Sequence, residues 1–172
     1  MHIKIKGQEL KLILFLSLSY AVGGLCGAYL IEYYQKAPPC SLCIYQRFVL
    51  GAVIVCFPFV WMFFQKYPYR KVYVIIPLIY LVSFVLAAYH SGVEQHIFPA
   101  PSQCRGNLTQ HGGDVNLLRD LLLQQDIVPC DKVSWRLFGL SMATHNALGS
   151  LCLVLMWGYV LWQRRYAGER YS

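Results

Sequence analysis

The chain has 172 residues, of which 57% are apolar and only 13% charged, with a formal net charge of +7. A water-soluble domain of this size carries more charge. The basic excess gives no support to nucleic-acid binding, because the charges lie between long apolar blocks.

Four such blocks run in chain order: Leu12–Ile31 with 20 residues, Phe48–Phe64 with 17, Val72–Tyr89 with 18 and Leu137–Trp162 with 26, all without Asp, Glu, Lys or Arg. A helix crosses the hydrocarbon core with roughly 17–25 residues. Lipid offers the backbone no hydrogen-bond partner, so each block is expected to be a helix. The reading is an all-α membrane protein forming one domain over 1–172, a four-transmembrane-helix bundle with spans near 12–31, 47–64, 72–89 and 146–162. Lys4, Lys6 and Lys11 before the first block raise the alternative of a signal peptide. Its apolar run is longer than the usual ~7–15 residues and no A-x-A site follows, which favours a retained helix.

Charge sets the orientation. Both termini and the 65–71 link carry nine Lys or Arg against two acids, while 32–46 and 90–145, together with Arg47 at the edge of the second span, carry six against six. One side therefore holds the whole net charge. The positive-inside rule places that side in the cytoplasm and the two other loops outside.

The first outward loop ends in Pro38-Pro39-Cys40-Ser41-Leu42-Cys43, followed by Gln46-Arg47 and then the second block. A dithiol at this boundary can meet a water-borne protein on one side and a lipid-soluble carrier on the other. The prolines are expected to present Cys40 at a helix start, where unpaired N–H groups favour a thiolate. Arg47 lies four residues beyond Cys43 on the same helix face, where it could stabilise a thiolate or a reduced quinone, or simply snorkel to headgroups. The long outer loop carries Cys104 and Cys130, with Gly106 and Gly112-Gly113 between them and helical spacing of leucines from Asn116 to Gln125, an amphipathic helix expected at the membrane interface. That helix would hold Cys130 near the membrane and leave Cys104 free to reach a partner.

Several chemistries suit four outward cysteines. Two static disulfides would fit Cys104 and Cys130, whose separation of 26 closes a stabilising loop, but a bond from Cys40 to Cys43 closes almost no chain. A zinc site would need a second close pair. A reactive dithiol is the third reading. Cys26, Cys56 and Cys152 lie inside the apolar blocks and are expected only to pack. His90, at the outer end of the third block, could face the same site as Arg47 or cap its helix. His96 and His111 read as loop residues and His145 as interfacial. Gly23-x-x-x-Gly27 is expected to form a close-packing helix face.

Pro-Cys-x-Leu-Cys-x-x-x-Arg over Pro39–Arg47, Pro-x-Pro-x-x-Cys over Pro99–Cys104, and Cys130 followed by Trp135, Gly139, Leu140 and Met142 together resemble the bacterial disulfide-bond formation protein B (DsbB) family. The resemblance spans most of the chain. It implies an inner-membrane thiol oxidase that recharges a periplasmic DsbA-like thioredoxin-fold partner and passes electrons to membrane quinone, ubiquinone or menaquinone, the general system that keeps the periplasm oxidising. It implies catalytic roles for Cys40, Cys43, Cys104 and Cys130, with Cys104 receiving the partner and Cys130 exchanging with Cys40. It also implies quinone contact by Arg47, with His90 a further candidate and no metal. Met142-Ala143-Thr144-His145 departs from the family's common Met-Pro, and Gln46 stands where an acid also occurs, so Gln46 is assigned no proton-transfer role. The rival readings are a polytopic scaffold with static disulfides and a vitamin K epoxide reductase-like quinone reductase, whose Cys-x-x-Cys lies late in the chain instead of before the second span.

Overall fold

The computed structural model describes residues 2–36, 38–66, 71–101, 104, 128–133 and 135–169. The leucine-rich segment 116–125, His111 and the Gly112-Gly113 pair lie outside them. Four long helices dominate: α1 (His2–Gln35), α2 (Ser41–Lys66), α3 (Ile75–Glu94) and α4 (Met142–Glu169). A 3₁₀ turn, Lys71–Val74, leads into α3, and two short strands, β1 (Arg136–Leu137) and β2 (Leu140–Ser141), lead into α4. Each helix contains a stretch long and apolar enough to cross a membrane, of 28, 23, 20 and 22 residues in chain order. The chain is a multi-pass membrane protein built as a four-helix bundle.

Side-chain pairs fix the helices as antiparallel neighbours. Arg47 of α2 pairs with Glu32 near the end of α1, while Phe57 and Trp61 further along α2 meet Phe15 near its start, at 5.7 and 5.2 Å between rings. Gln46 of α2 reaches His90 of α3, Ser91 of α3 reaches Thr144 of α4, and deeper in the bundle Ser83 reaches Ser150. Cys40, Cys43, Cys104 and Cys130 therefore gather at one end, and the start of α1 and the end of α4 lie at the other.

The helices end where local chemistry requires. Lys36 closes α1 at φ 49°, the left-handed position that stops a helix, and Pro38-Pro39 cannot resume it. α2 restarts with Cys40 as its cap: Ile44 N donates to the Cys40 carbonyl at 3.1 Å and Cys43 N donates to Cys40 Sγ at 3.3 Å. His96 at φ 59° ends the turn after α3, with Ile97 N donating to the Gly92 carbonyl at 2.8 Å.

The fourth apolar run does not begin as a helix at Leu137. Phe138 and Gly139 both take positive φ, 50° and 82°, which closes a two-residue hairpin pairing Leu137 with Leu140. α4 begins only at Met142, with Ser141 as its cap accepting Thr144 N at 3.2 Å.

Within the bundle, lipid tails are as apolar as leucine, so association rests on close packing and interhelical hydrogen bonds. Leu10, Leu14, Val53, Val60, Ile76, Tyr80 and Trp157 form the buried centre. Ser17 of α1 ties three helices there: its carbonyl accepts Tyr80 OH at 2.6 Å and its Oγ accepts Trp157 Nε1 at 3.0 Å. No buried side-chain nitrogen or oxygen among the described residues lacks a partner. Much of the remaining apolar surface, Phe48, Val55 and Leu155 for example, faces outward where lipid would lie. Cys26 and Cys152 share that outward surface, and Cys56 packs at the edge of the core.

The Gly23-x-x-x-Gly27 expectation fails, because a Cβ at either glycine would meet nothing within 4 Å. The close approaches occur elsewhere. A Cβ at Gly24 would stand 3.3 Å from Leu50, and one at Gly149 would stand 2.5 Å from the Tyr20 ring carbons Cε2 and Cζ. Gly149→Ala is therefore expected to cost about 1–3 kcal/mol by overpacking. Gly27→Ala should be neutral or gain up to ~1 kcal/mol of helix propensity. Denaturation of the two variants in detergent checks this; equal stabilities would contradict the packing.

Candidate functional site: two cysteine pairs beside a membrane cleft

Cys40 stands at the last residue before α2 and Cys43 in its first turn, so the two sulfurs lie on the same side of the helix start, 2.8 Å apart. Closing them into a disulfide needs little movement. Cys104 and Cys130 are already joined, with Cα atoms 5.4 Å apart.

The chain after α3 positions Cys104. Phe98 folds back over Gly92 and stacks on Tyr89 at 5.7 Å, Tyr89 OH donates to the Pro99 carbonyl at 3.0 Å, and Cys104 N donates to the Pro101 carbonyl at 2.9 Å. This returns the segment to the mouth of the bundle. Cys40, Leu42, Val93, Cys104 and Cys130 then form one buried cluster, with Cys43 packed against it. Both pairs thus share a single apolar pocket. Cys104 is only 3% exposed, so it does not stand free in solvent as the loop reading expected; its packing against Cys40 and Val93 removes it from water.

The Cys40 environment also differs from expectation. The helix N-terminus does favour its thiolate, through the Cys43 amide. Its hydrogen bond to the Cys43 sulfur and then burial outweigh this, and hold the Cys40 thiol well above the ordinary cysteine range. Two adjacent sulfurs at a buried helix start share one proton more readily than they lose both.

His90 sits on the inner face of α3, 3% exposed, with Nε2 3.6 Å from Cys40 Sγ and 3.8 Å from Glu94 Oε1. On its other side Gln46 Nε2 approaches Nδ1 at 2.8 Å. Gln46 Oε1 accepts Asn146 Nδ2 at 2.8 Å, and Asn146 Oδ1 accepts Tyr20 OH and Ser150 Oγ, each at 3.3 Å. Ser141 Oγ donates to Glu94 while capping α4. The polar groups of all four helices are thereby linked behind the cysteines. Ligand atoms of Cys40, Cys43 and His90 lie within 4.8 Å of one another, a donor set a soft cation could use. An N–H at Nε2 would face the sulfur where a metal needs a lone pair.

Arg47 follows one turn beyond Cys43, as the spacing required, but its guanidinium is committed. It pairs with Glu32, approaches the Ala28 carbonyl at 3.5 Å and covers the Tyr29 ring at 4.6 Å. Arg47, Cys43 and His90 all line a cleft of about 360 Å³ between α1, α2 and α4, walled by Tyr20, Leu50 and Met142. That size lies within the ordinary range of small-molecule sites. The sequence motifs had not picked out Glu32, Glu94 or Asn146. For Asn146 the available signal was a polar residue in an apolar span, since such groups are costly in lipid unless they act; Glu32 and Glu94 lie just beyond their apolar blocks and gave no such signal.

Covalent chemistry follows from this arrangement: a near-closed dithiol, a formed disulfide packed against it, and an apolar cleft reaching the same sulfurs. This defines a membrane protein of thiol–disulfide exchange. A family model described as "Disulfide bond formation protein DsbB" matches residues 10–160, and the chain belongs to that family. It is a membrane oxidoreductase of disulfide-bond formation. The chain is also similar to an uncharacterized protein, RP370, of Rickettsia prowazekii (strain Madrid E), at 27% identity over 158 residues and 91% of each chain. No solved structure matches it.

Mild reduction followed by limited alkylation is expected to label Cys43 before Cys40, because Cys40 is 6% exposed and holds its proton. Peptide mass spectrometry measures the order, and earlier labelling of Cys40 would contradict the assigned proton.

Proposed function

We propose that the protein oxidises a periplasmic DsbA-like thioredoxin-fold protein and passes the electrons to a membrane quinone, from a bacterial inner membrane with both termini cytoplasmic. The observation that carries the reading is the shared burial of Cys40, Cys104 and Cys130 beside a cleft that reaches Cys43. The charge asymmetry of the loops supports the orientation.

The exchange balances in thiolate attacks. A partner thiolate attacks Cys104; the partner–Cys104 bond forms, the Cys104–Cys130 bond breaks, and Cys130 leaves with the electron pair. With the Cys40–Cys43 pair first oxidised to a disulfide at the expense of quinone, Cys130 attacks Cys40; the Cys130–Cys40 bond forms, the Cys40–Cys43 bond breaks, and Cys43 leaves as thiolate. The partner's second thiol resolves its own mixed disulfide and releases Cys104. Cys104 attacks Cys130, restoring that disulfide and leaving Cys40 reduced. Two electrons have then moved from the partner to the Cys40/Cys43 pair. The first attack needs access to Cys104, which is buried, so partner docking must open the cluster that holds it.

The cleft suits a quinone ring by its apolar walls, its volume and a cation at one edge. A bound quinone supplies the two-electron sink that cysteines lack. Cys43 faces the cleft, His90 lines it, Arg47 offers N–H donors to oxygen atoms, and Glu32 with Tyr29 holds the guanidinium in place.

The test is reduction of a soluble quinone analogue by purified protein supplied with a reduced thioredoxin-fold dithiol. Wild type is expected to turn over, and Cys40→Ser and Cys43→Ser each to abolish it. Arg47→Met should raise KM for the quinone about tenfold, the loss of roughly one charge-assisted hydrogen bond. Full activity in either cysteine variant would instead support a static scaffold.

A further inference from the structure

The buried amide pair behind His90 has no part in the exchange itself, yet it decides which ring nitrogen carries hydrogen. We propose that Asn146 and Gln46 are positioning residues that hold neutral His90 in its Nε2–H form, with that N–H aimed at the Cys40 sulfur.

The geometry runs from both ends of the chain of contacts. At the far end, Tyr20 OH and Ser150 Oγ both reach Asn146 Oδ1, which turns the Asn146 amide nitrogen toward Gln46. At 2.8 Å Asn146 Nδ2 then donates to Gln46 Oε1, and the Gln46 nitrogen faces His90 Nδ1, also at 2.8 Å. Nδ1 must accept, so the ring hydrogen is on Nε2. At the near end the neighbours agree. Nε2 faces Glu94 Oε1 at 3.8 Å and Cys40 Sγ at 3.6 Å, the Cys40 hydrogen being directed to Cys43, and the ring also meets the Cys130 backbone, another acceptor. A lone pair at Nε2 would face a carboxylate and a sulfur with no donor between them.

This role deepens the relay proposed above and rests on it. When Cys104 attacks Cys130, the Cys130–Cys40 bond breaks and its electron pair stays on Cys40. The Nε2–H stands where that charge appears and stabilises Cys40 as the leaving sulfur. The closing of the Cys104–Cys130 bond is the step that gains. Binding of the quinone ring, at the Cys43 and Arg47 side of the cleft, does not.

Two measurements on the full-length protein in detergent test this. In protein labelled with ¹⁵N-histidine, the His90 resonances, assigned by their loss in His90→Phe, are expected to show the Nε2–H tautomer. Asn146→Leu frees the Gln46 amide to rotate and should give a mixture. Gln46→Glu puts a carboxylate against Nδ1 and should move hydrogen onto it, which keeps the test open if Asn146→Leu folds poorly. In quinone-analogue turnover at saturating quinone, Asn146→Leu should lower kcat about tenfold, as loss of an outer hydrogen-bond partner does at metal sites. An Nδ1–H His90 in wild type, or a tautomer and kcat that Asn146→Leu leaves alone, would overturn the proposal. The tautomer readout needs no turnover, so a wild-type protein that shows Nε2–H but never reduces quinone would fault the relay and leave the positioning intact.

Discussion

The sulfur of Cys40 is where the bundle, the second disulfide and the cleft meet. It caps α2 by accepting the Cys43 amide, lies 2.8 Å from the Cys43 sulfur and 3.6 Å from the His90 ring, and is covered by Cys104 and Cys130. Each contact constrains the others. The prolines before it stop α1 from continuing, so the helix start stays at the membrane boundary. Burial makes the charged thiolate costly, so ionisation is tied to exchange with a neighbouring sulfur.

A membrane setting explains why so many polar side chains are assembled behind that sulfur. An unpaired amide or carboxylate in the upper bundle would cost more than in water-exposed protein. Gln46, His90, Glu94, Ser141, Thr144 and Asn146 therefore satisfy one another, and the same bonds that avoid the penalty also hold the helices in register. Ser17, bridging Tyr80 and Trp157, does the same for the lower half. Interhelical bonds of this kind are individually modest, ~0.6 kcal/mol on average. Their effect here is to leave one arrangement of polar partners, and so one orientation of the imidazole.

Four helices could be read directly from unbroken apolar runs, because lipid permits little else. Cys40, Cys43 and Arg47 were legible because their chemistry depends on short spacing along one chain. The hairpin at Phe138-Gly139 was hidden, since an apolar run records hydrophobicity and two positive φ angles do not change it. Gly23 and Gly27 had the right spacing for close packing, but helix rotation turned Gly24 toward Leu50 and brought Gly149 against Tyr20 instead. The burial of Cys104 is not a local matter, the link from Asn146 through Gln46 to His90 joins residues 44 and 100 positions apart, and nothing local in the chain announces such partners. The Cys40 thiol shows the same limit: the helix start was visible, while the neighbouring sulfur and the burial that outweigh it were not.

The central claim is that the two cysteine pairs exchange directly. A Cys43→Ser/Cys104→Ser double variant leaves one sulfur of each pair, and peptide mass spectrometry after mild oxidation reads where they go. A Cys40–Cys130 disulfide as the dominant product is the expected result. Persistent free thiols at both positions, in protein whose helical content and melting match wild type, would contradict it.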